Sequence, residues 1–248
     1  MAMKSVLLTT LFLLITTVLA APRTTSKAST VSTTTASKAS TASTTSKAPT
    51  ATATCISKSF NATFDDLAAL PDSLPGDLTP IPTPYKDLAY ANFDLASTLP
   101  GVTQLIPESG RNVAFAGGPQ RTLGLKPAIS VAYAGSPVTD FTLKSIAYAC
   151  VLTSGGNLDA PTACTARATA FRGNAQVGTA DLNYAPPTLL GAGGVTTQLM
   201  AGMLNFAFPA ASFGKVTRVE FALVEPVPAT TVVNFVIDDA AYVTDENC

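Results

Sequence analysis

From residue 55 to the C-terminus, apolar residues recur with a period of two in short runs broken by Gly, Pro and Asn, the pattern of half-buried β-strands. It predicts strands over Thr63 to Leu67, Asp87 to Phe93, Val113 to Phe115, Ile129 to Tyr133, Phe141 to Leu152, Cys164 to Phe171, Val177 to Tyr184, Leu204 to Phe208, Val216 to Val224 and Val232 to Val243. No stretch combines a helical i, i+3, i+4, i+7 apolar stripe with a cap, so long helices are not expected. Strands at this spacing, without helices, pack as a sandwich.

Three runs say more. In Phe141 to Leu152, Phe141 and Leu143 are in phase, whereas Ile146, Tyr148, Cys150 and Leu152 continue on the opposite parity, so a bulge is expected at Lys144-Ser145. In Val216 to Val224, Val219, Phe221 and Leu223 form an inner face, with Arg218 and Glu220 towards water. In Val232 to Val243, Val233, Phe235 and Ile237 form the inner face until Asp238-Asp239 interrupts it. Two acids at that point require a reason.

The first 54 residues lack strand alternation. A basic start at Lys4, an apolar run from Val6 to Leu19 and small residues at Val18 and Ala20 predict a secretory signal cleaved after Ala20. An uncleaved anchor is the competing reading, but the run is shorter than the roughly 20 residues a spanning helix needs. No later apolar run offers a membrane or GPI anchor, and none is expected after cleavage. Residues 21–54 are mostly Ser, Thr and Ala. The pattern Thr24-Thr25-Ser26-Lys27-Ala28-Ser29-Thr30 recurs from Thr35 and again from Thr44. Such a segment cannot bury enough to offset the entropy of ordering, so it reads as a disordered stalk, O-glycosylated if secreted, or else a plain linker. One domain, residues 55–248, remains.

The charges sharpen this. The 248 residues contain no His and no Trp, which removes the commonest general base and the commonest zinc ligand. From Cys55 onward ten basic residues face sixteen acidic ones, a balance that repels a phosphate backbone and argues against a nucleic-acid partner. Four cysteines in a secreted chain imply two disulfides with three possible pairings. Spacing favours Cys150-Cys164, flanking a Gly/Asn/Pro-bearing loop between strands read as adjacent, and elimination leaves Cys55-Cys248. The second bridge requires the first and last strands to lie side by side. Asn61-Ala62-Thr63 is an acceptor sequence for N-glycosylation at Asn61.

Thr63-Phe64-Asp65-Asp66-Leu67, Pro82-Thr83-Pro84-Tyr85-Lys86-Asp87-Leu88-Ala89-Tyr90, Phe141 to Cys150 and Asn234-Phe235-Val236-Ile237-Asp238-Asp239, in this order, resemble a group of secreted fungal-type proteins. Their domain is similar to the galactose-binding-type jelly roll shared by many carbohydrate-binding modules. The resemblance implies an all-β sandwich or jelly roll of eight to ten strands with adjacent N- and C-terminal strands. It also implies a structural calcium between those strands, held by Asp65 and Asp238. A physical reason stands beside it. If the terminal strands meet, Asp65, Asp66, Asp238 and Asp239 converge, and like charges so placed repel unless paired or bridged by a cation such as calcium, which takes oxygen donors in flexible geometry. The alternative is that one acid of each pair is solvated and the other is hydrogen-bonded to backbone at a strand end.

Without Trp, stacking on a sugar ring falls to tyrosine, with Tyr85 and Tyr90 first and Tyr133 and Tyr184 behind them; tyrosines at strand positions otherwise serve as core or rim residues. The leading expectation is a non-catalytic extracellular binding module, held off a surface by its stalk, with cell-wall or host glycan as partner. A structural wall or matrix glycoprotein without a specific ligand is the alternative. A carboxylate-dependent glycoside hydrolase using acids such as Asp65, Asp66, Glu108, Asp140, Glu220 and Asp238 is the third reading, but nothing in their spacing singles out a catalytic pair.

Overall fold

The computed structural model of the protein describes residues 54–68, 78–98, 104–117, 124–154, 157–186, 200–224 and 233–248. The chain divides into units 1–50 and 51–248, and the described residues belong to the second. The expected signal peptide, and the stalk apart from its last residue, lie outside them.

The alternating runs form an all-β sandwich. In chain order its strands are β1 (Ile56–Ala62), β2 (Thr79–Pro80), β3 (Ala89–Ala91), β4 (Asp94–Ser97), β5 (Leu105–Ile106), β6 (Asn112–Ala116), β7 (Ala128–Ser130), β8 (Val138–Ser154), β9 (Asn157–Pro161), β10 (Cys164–Arg172), β11 (Ala175–Tyr184), β12 (Ala201–Gly202), β13 (Leu204–Ala207), β14 (Arg218–Leu223) and β15 (Val233–Glu246). A single helical turn, α1 (Ala210–Phe213), precedes β14. One sheet runs β13-β8-β15-β6-β4-β2, with β1 also on β15 and β9 also on β8; the facing sheet runs β11-β10-β14-β7-β3. A short parallel pair, β5-β12, stands apart from both.

The organising strand is β15. Its whole length pairs with β8, while its other side is shared in succession by β6, opposite Phe235 to Ile237, and β1, opposite Ala240 to Glu246. The change of neighbour falls at Asp238-Asp239, where Asp239 takes φ 45° and β15 carries an extra residue between Asp238↔Ala147 and Ala241↔Ser145. The bulge expected at Lys144-Ser145 is present, because the next pair is Tyr242↔Leu143 and Lys144 is left over. Opposed single-residue insertions on partner strands cancel, so alternation resumes and Phe141, Leu143, Ile146 and Tyr148 are all buried.

On β15 the expected inner face of Val233, Phe235 and Ile237 is buried, but so are Asn234, Val236 and Asp238, so this strand is covered on both sides. On β14, Val219 and Phe221 are buried and Arg218 and Glu220 partly solvated, as alternation predicts.

Three predicted strands differ. Ile129 to Tyr133 is strand only as far as Ser130, in β7; beyond it the chain turns, and the Tyr133 N–H donates to the Val131 carbonyl at 3.2 Å. Thr63 to Leu67 is a turn, because Phe64 adopts φ 61° and its carbonyl accepts from the Leu67 N–H at 3.1 Å; the first strand lies just upstream, in the largely polar and exposed Ile56–Ala62. Asp87 to Phe93 shrinks to β3, since Lys86, Asp87 and Asn92 all have positive φ and break the ladder on both sides.

The cysteines pair as Cys55-Cys248 and Cys150-Cys164, with Cα separations of 4.9 and 6.1 Å. The terminal strands are direct neighbours, with Ile56 opposite Glu246. The second bridge is not the register pin expected between adjacent strands: β8 and β10 belong to opposite sheets, so it joins the two layers.

Candidate functional site

The β1-β15-β6 junction gathers the acids that the sequence singles out. The chain leaves β1 at Ala62, turns through Phe64 and presents Asp65 to the start of β6, where Oδ1 accepts from the backbone N–H groups of Arg111 (2.8 Å) and Asn112 (3.0 Å). Gly110 allows the approach: its φ is 40°, and a Cβ built on it would lie 2.0 Å from Asp65 Oδ1. From β15, Asp238 Oδ2 accepts from the Ser109 N–H at 3.0 Å and Oδ1 from the Asp239 N–H at 2.8 Å. Asp239 Oδ1 accepts from Asn61 Nδ2 at 3.2 Å.

Ser109 Oγ is the meeting point, 3.2 Å from Asp65 Oδ2, 3.4 Å from Asp238 Oδ2 and 3.1 Å from Asp239 Oδ1. Its hydroxyl carries one hydrogen and satisfies one of the three. Burial pushes the Asp238 carboxyl up to about 7, reinforced by the charges of Asp239 and Asp65 against the pull of the two backbone N–H groups. Asp66 does not join them. Its carboxylate accepts the Tyr85 hydroxyl, which holds it below the usual carboxylate range, and meets Lys86 Nζ at 3.5 Å.

The donors at this junction are all oxygens, the set that suits calcium and not zinc. The misfit is spacing, for among the described residues no group of three or more acidic, His or Cys side chains is already closed around one point as a metal shell. Ser109 occupies the middle. The fit is therefore partial: three carboxylates of the right chemistry, held apart by one hydroxyl that a cation has to displace. Ser109 had no sequence signal of its own, because it lies in a loop some 45 residues beyond the first acids and only the fold brings it there.

The tyrosines expected to stack on sugar are core residues. Tyr85 and Tyr90 are 5% and 2% exposed, packed with Phe64 at ring-centroid distances of 5.4 and 5.3 Å and with each other at 5.8 Å. The Tyr85 hydroxyl also accepts from the Phe64 N–H, and the Tyr90 hydroxyl lies 3.5 Å from that of Tyr242, which donates to the Lys86 carbonyl. Burial raises both phenols above their ordinary range. Rings already covered on their faces have none left for a sugar, which corrects the expectation for Tyr85 and Tyr90. Tyr184 is buried too, its hydroxyl donating to the Gly202 carbonyl at 3.2 Å, while Tyr133 is half-buried.

Asn61 is exposed on β1, and Lys86 Nζ donates to its carbonyl at 3.1 Å. The remaining acids are scattered. Glu108 accepts from Asn205, Glu220 is held between Arg218 and Lys126, and Asp140 lies opposite Asp245 on the paired strands β8 and β15.

Residues after β3, at the end of β6, on the approach to β7 and on β14 and β15 line a cleft of about 180 Å³. Phe221 and Phe235 are among its lining residues but offer it almost no surface, being stacked on each other at 5.4 Å between ring centroids and almost wholly buried. Leu125 and Pro127 form one wall, with Leu125 46% exposed. Asn92 and Lys126 are its polar lining side chains: Asn92 Nδ2 donates to the Lys126 carbonyl at 2.8 Å, and Lys126 Nζ lies 3.4 Å from Glu220 Oε2. The sequence had no signal for this cleft, because Phe221 and Phe235 read as ordinary inward strand residues.

Neither a protein-family model nor a curated protein matches the chain. Among solved structures it is similar to a DUF4465 family protein from Bacteroides caccae, with a TM-score of 0.45 and 11% sequence identity over 75% of this chain and 98% of that one. Among the described residues no helix is long and apolar enough to cross a membrane.

Proposed function

We propose that this protein is a secreted, non-catalytic module that binds glycan of a cell wall or host surface, with its β-sandwich domain presented on a Ser/Thr-rich stalk. The observation that carries the reading is the cleft lined by the β6 end, the approach to β7, β14 and β15. A sugar ring combines an apolar face or edge with a fringe of hydroxyls, and a cleft of mainly apolar lining with a few polar groups complements both. The lining combines the apolar Leu125, Pro127 and Leu223 with the polar side chains of Asn92 and Lys126. The signal-like first twenty residues, the stalk composition and two disulfides, bonds that persist in oxidising compartments, support an extracellular setting.

A structural calcium at the β1-β15-β6 junction belongs to the same proposal. Asp65, Asp238 and Asp239 would hold it after Ser109 Oγ turns aside or becomes a ligand, and its charge would relieve the repulsion among them. The ion would fasten the first strand to the last and has no part in glycan contact, since the junction and the cleft share no lining residue.

Binding of the purified domain to a polysaccharide and glycan array tests the reading, with Leu125→Asp as control. Saturable binding that the variant loses is the expected result. Failure to bind any glycan would leave a structural glycoprotein as the better description, and release of reducing sugar from the same polymers would replace binding with hydrolysis.

A further inference from the structure

The chain that precedes the domain enters it at Cys55, and Cys55 is bridged at once to Cys248, just beyond the end of β15. The two strands that meet at this bridge are held unequally. Among the described residues β1 has one strand neighbour, β15, and of its seven residues only Ala62 is buried. Beyond its ladder of hydrogen bonds it has surface ties, from Lys58 to Asp87 and Glu246 and from Lys86 to the Asn61 carbonyl. Exposed ion pairs contribute little. β15, in contrast, lies inside the sheet, paired with β8 from Val233 to Glu246 and with β6 and β1 on its other side, and Asn234 to Asp238 are all buried.

Without the bridge, a pull arriving at Cys55 acts on β1, beginning at the pair Ile56↔Glu246, where water replaces each broken hydrogen bond. The bridge changes the route. A covalent sulfur–sulfur bond outlasts hydrogen bonds under load, so the pull crosses to Cys248, reaches β15 and is spread over the whole β8-β15 ladder. The opposite end of β15 reaches the cleft, where Phe235 is a lining residue.

From these observations we infer that the Cys55-Cys248 bridge is a tension clamp, which carries a pull delivered along the stalk past the weakly held β1 and into β15. The inference rests on the reading of the domain as a glycan-binding module on a stalk, because a domain is pulled only when it is held at two places. The clamp is also the more accessible of the two bridges. Cys55 and Cys248 are exposed whereas Cys150 is wholly buried, and thiol–disulfide exchange needs access to a sulfur, so a brief reduction of the folded protein opens the clamp first.

The experiment holds the full secreted chain under constant force in two ways: between the N-terminal end of the stalk and a ligation tag in the turn at Gly173, and between tags in the turns at Gly135 and Gly173, a path that leaves β1 out. Both turns are exposed, and a Cβ on either glycine would meet nothing within 4 Å. Lifetimes are recorded before and after brief treatment with dithiothreitol, with peptide mapping to show Cys150-Cys164 still closed, and a chain carrying both Cys55→Ser and Cys248→Ser is pulled alongside. Opening the bridge is expected to shorten the lifetime under the stalk pull about tenfold or more and that under the internal pull by less than about twofold, since forced unfolding reads the rate of opening along the loaded path. An unchanged lifetime under the stalk pull overturns the inference. Equal shortening in both geometries makes the bridge a general stabiliser and overturns it too. Neither pull involves a glycan, so both results leave glycan binding in place, whereas a domain that binds nothing on the array loses the parent reading first.

Discussion

Asp238 makes the stability of this domain depend on pH in the direction opposite to most carboxylates. In the native state its side chain is fully buried and its carboxyl is raised to about 7, whereas in the unfolded chain an aspartate titrates near 4. The native state therefore keeps a proton between about pH 4 and 7 that the unfolded state has lost. With the folded pKa above the unfolded one, the contribution is fully present below about pH 4 and lost as pH rises through 7. Three pH units at 1.36 kcal/mol each bound the effect at about 4 kcal/mol, with a greatest slope of about 1.4 kcal/mol per pH unit. At roughly 2 to 4 °C per kcal/mol for a domain of this size, the melting temperature falls by about 10 °C across that interval. Thermal unfolding from pH 4 to 8.5 with chelator present, for wild type and Asp238→Asn, isolates the term. The variant cannot titrate there, so the difference between the curves carries the slope. A difference that stays flat from pH 4 to 8 refutes the account of Asp238 as a buried, proton-retaining acid.

Calcium favours the ionised acids, so at pH 7.5 a hundredfold excess over the dissociation constant is expected to stabilise wild type by about 2.7 kcal/mol, read as a rise in melting temperature over chelator; Asp65→Asn is expected to reduce the rise, and identical curves would remove calcium from the proposal. Gly110→Ala is expected to destabilise by about 1 to 3 kcal/mol in urea unfolding, because the new Cβ meets the Asp65 carboxylate and the backbone sits at positive φ; wild-type stability would contradict that contact. Removing the Cys55-Cys248 bridge, which closes a loop with a sequence separation of 193, is expected to cost about 5 kcal/mol in the chain-entropy account and to loosen β1 first, seen as faster hydrogen exchange at Ser57 to Asn61 than in β8. N-glycosylation is expected at the exposed Asn61, and an unchanged mass after enzymatic deglycosylation of secreted material would exclude it.

The layered β architecture was legible because alternation is a local property. Whether Val219, Phe221 or Leu143 faces inward follows from a period of two that any strand imposes, and the parity slip at Lys144-Ser145 betrayed a bulge before any partner strand was known. Cysteine pairing was legible for a related reason, since four residues allow few combinations and the chain between them limits the choice. The polar strand Ile56–Ala62 escaped notice because it is held by pairing with β15 and by a disulfide, and its own sequence carries little apolar pattern. The turn at Phe64 and the breaks at Lys86, Asp87 and Asn92 escaped because a non-glycine residue enters the left-handed region only when its surroundings make up for the strain. Composition points to Tyr85 and Tyr90 as sugar platforms, but it ranks aromatic rings without saying which faces are free; three-dimensional packing against Phe64 decides it. The acids were visible in pairs along the chain, yet their grouping was not. Asp65, Asp238 and Asp239 meet over Ser109, and Asp66 turns away to Tyr85, because β1 and β6 end on β15 at one bulge. Contacts across sequence separations of 44, 129 and 130 residues depend on the closure of the whole sheet and leave no mark on the local sequence.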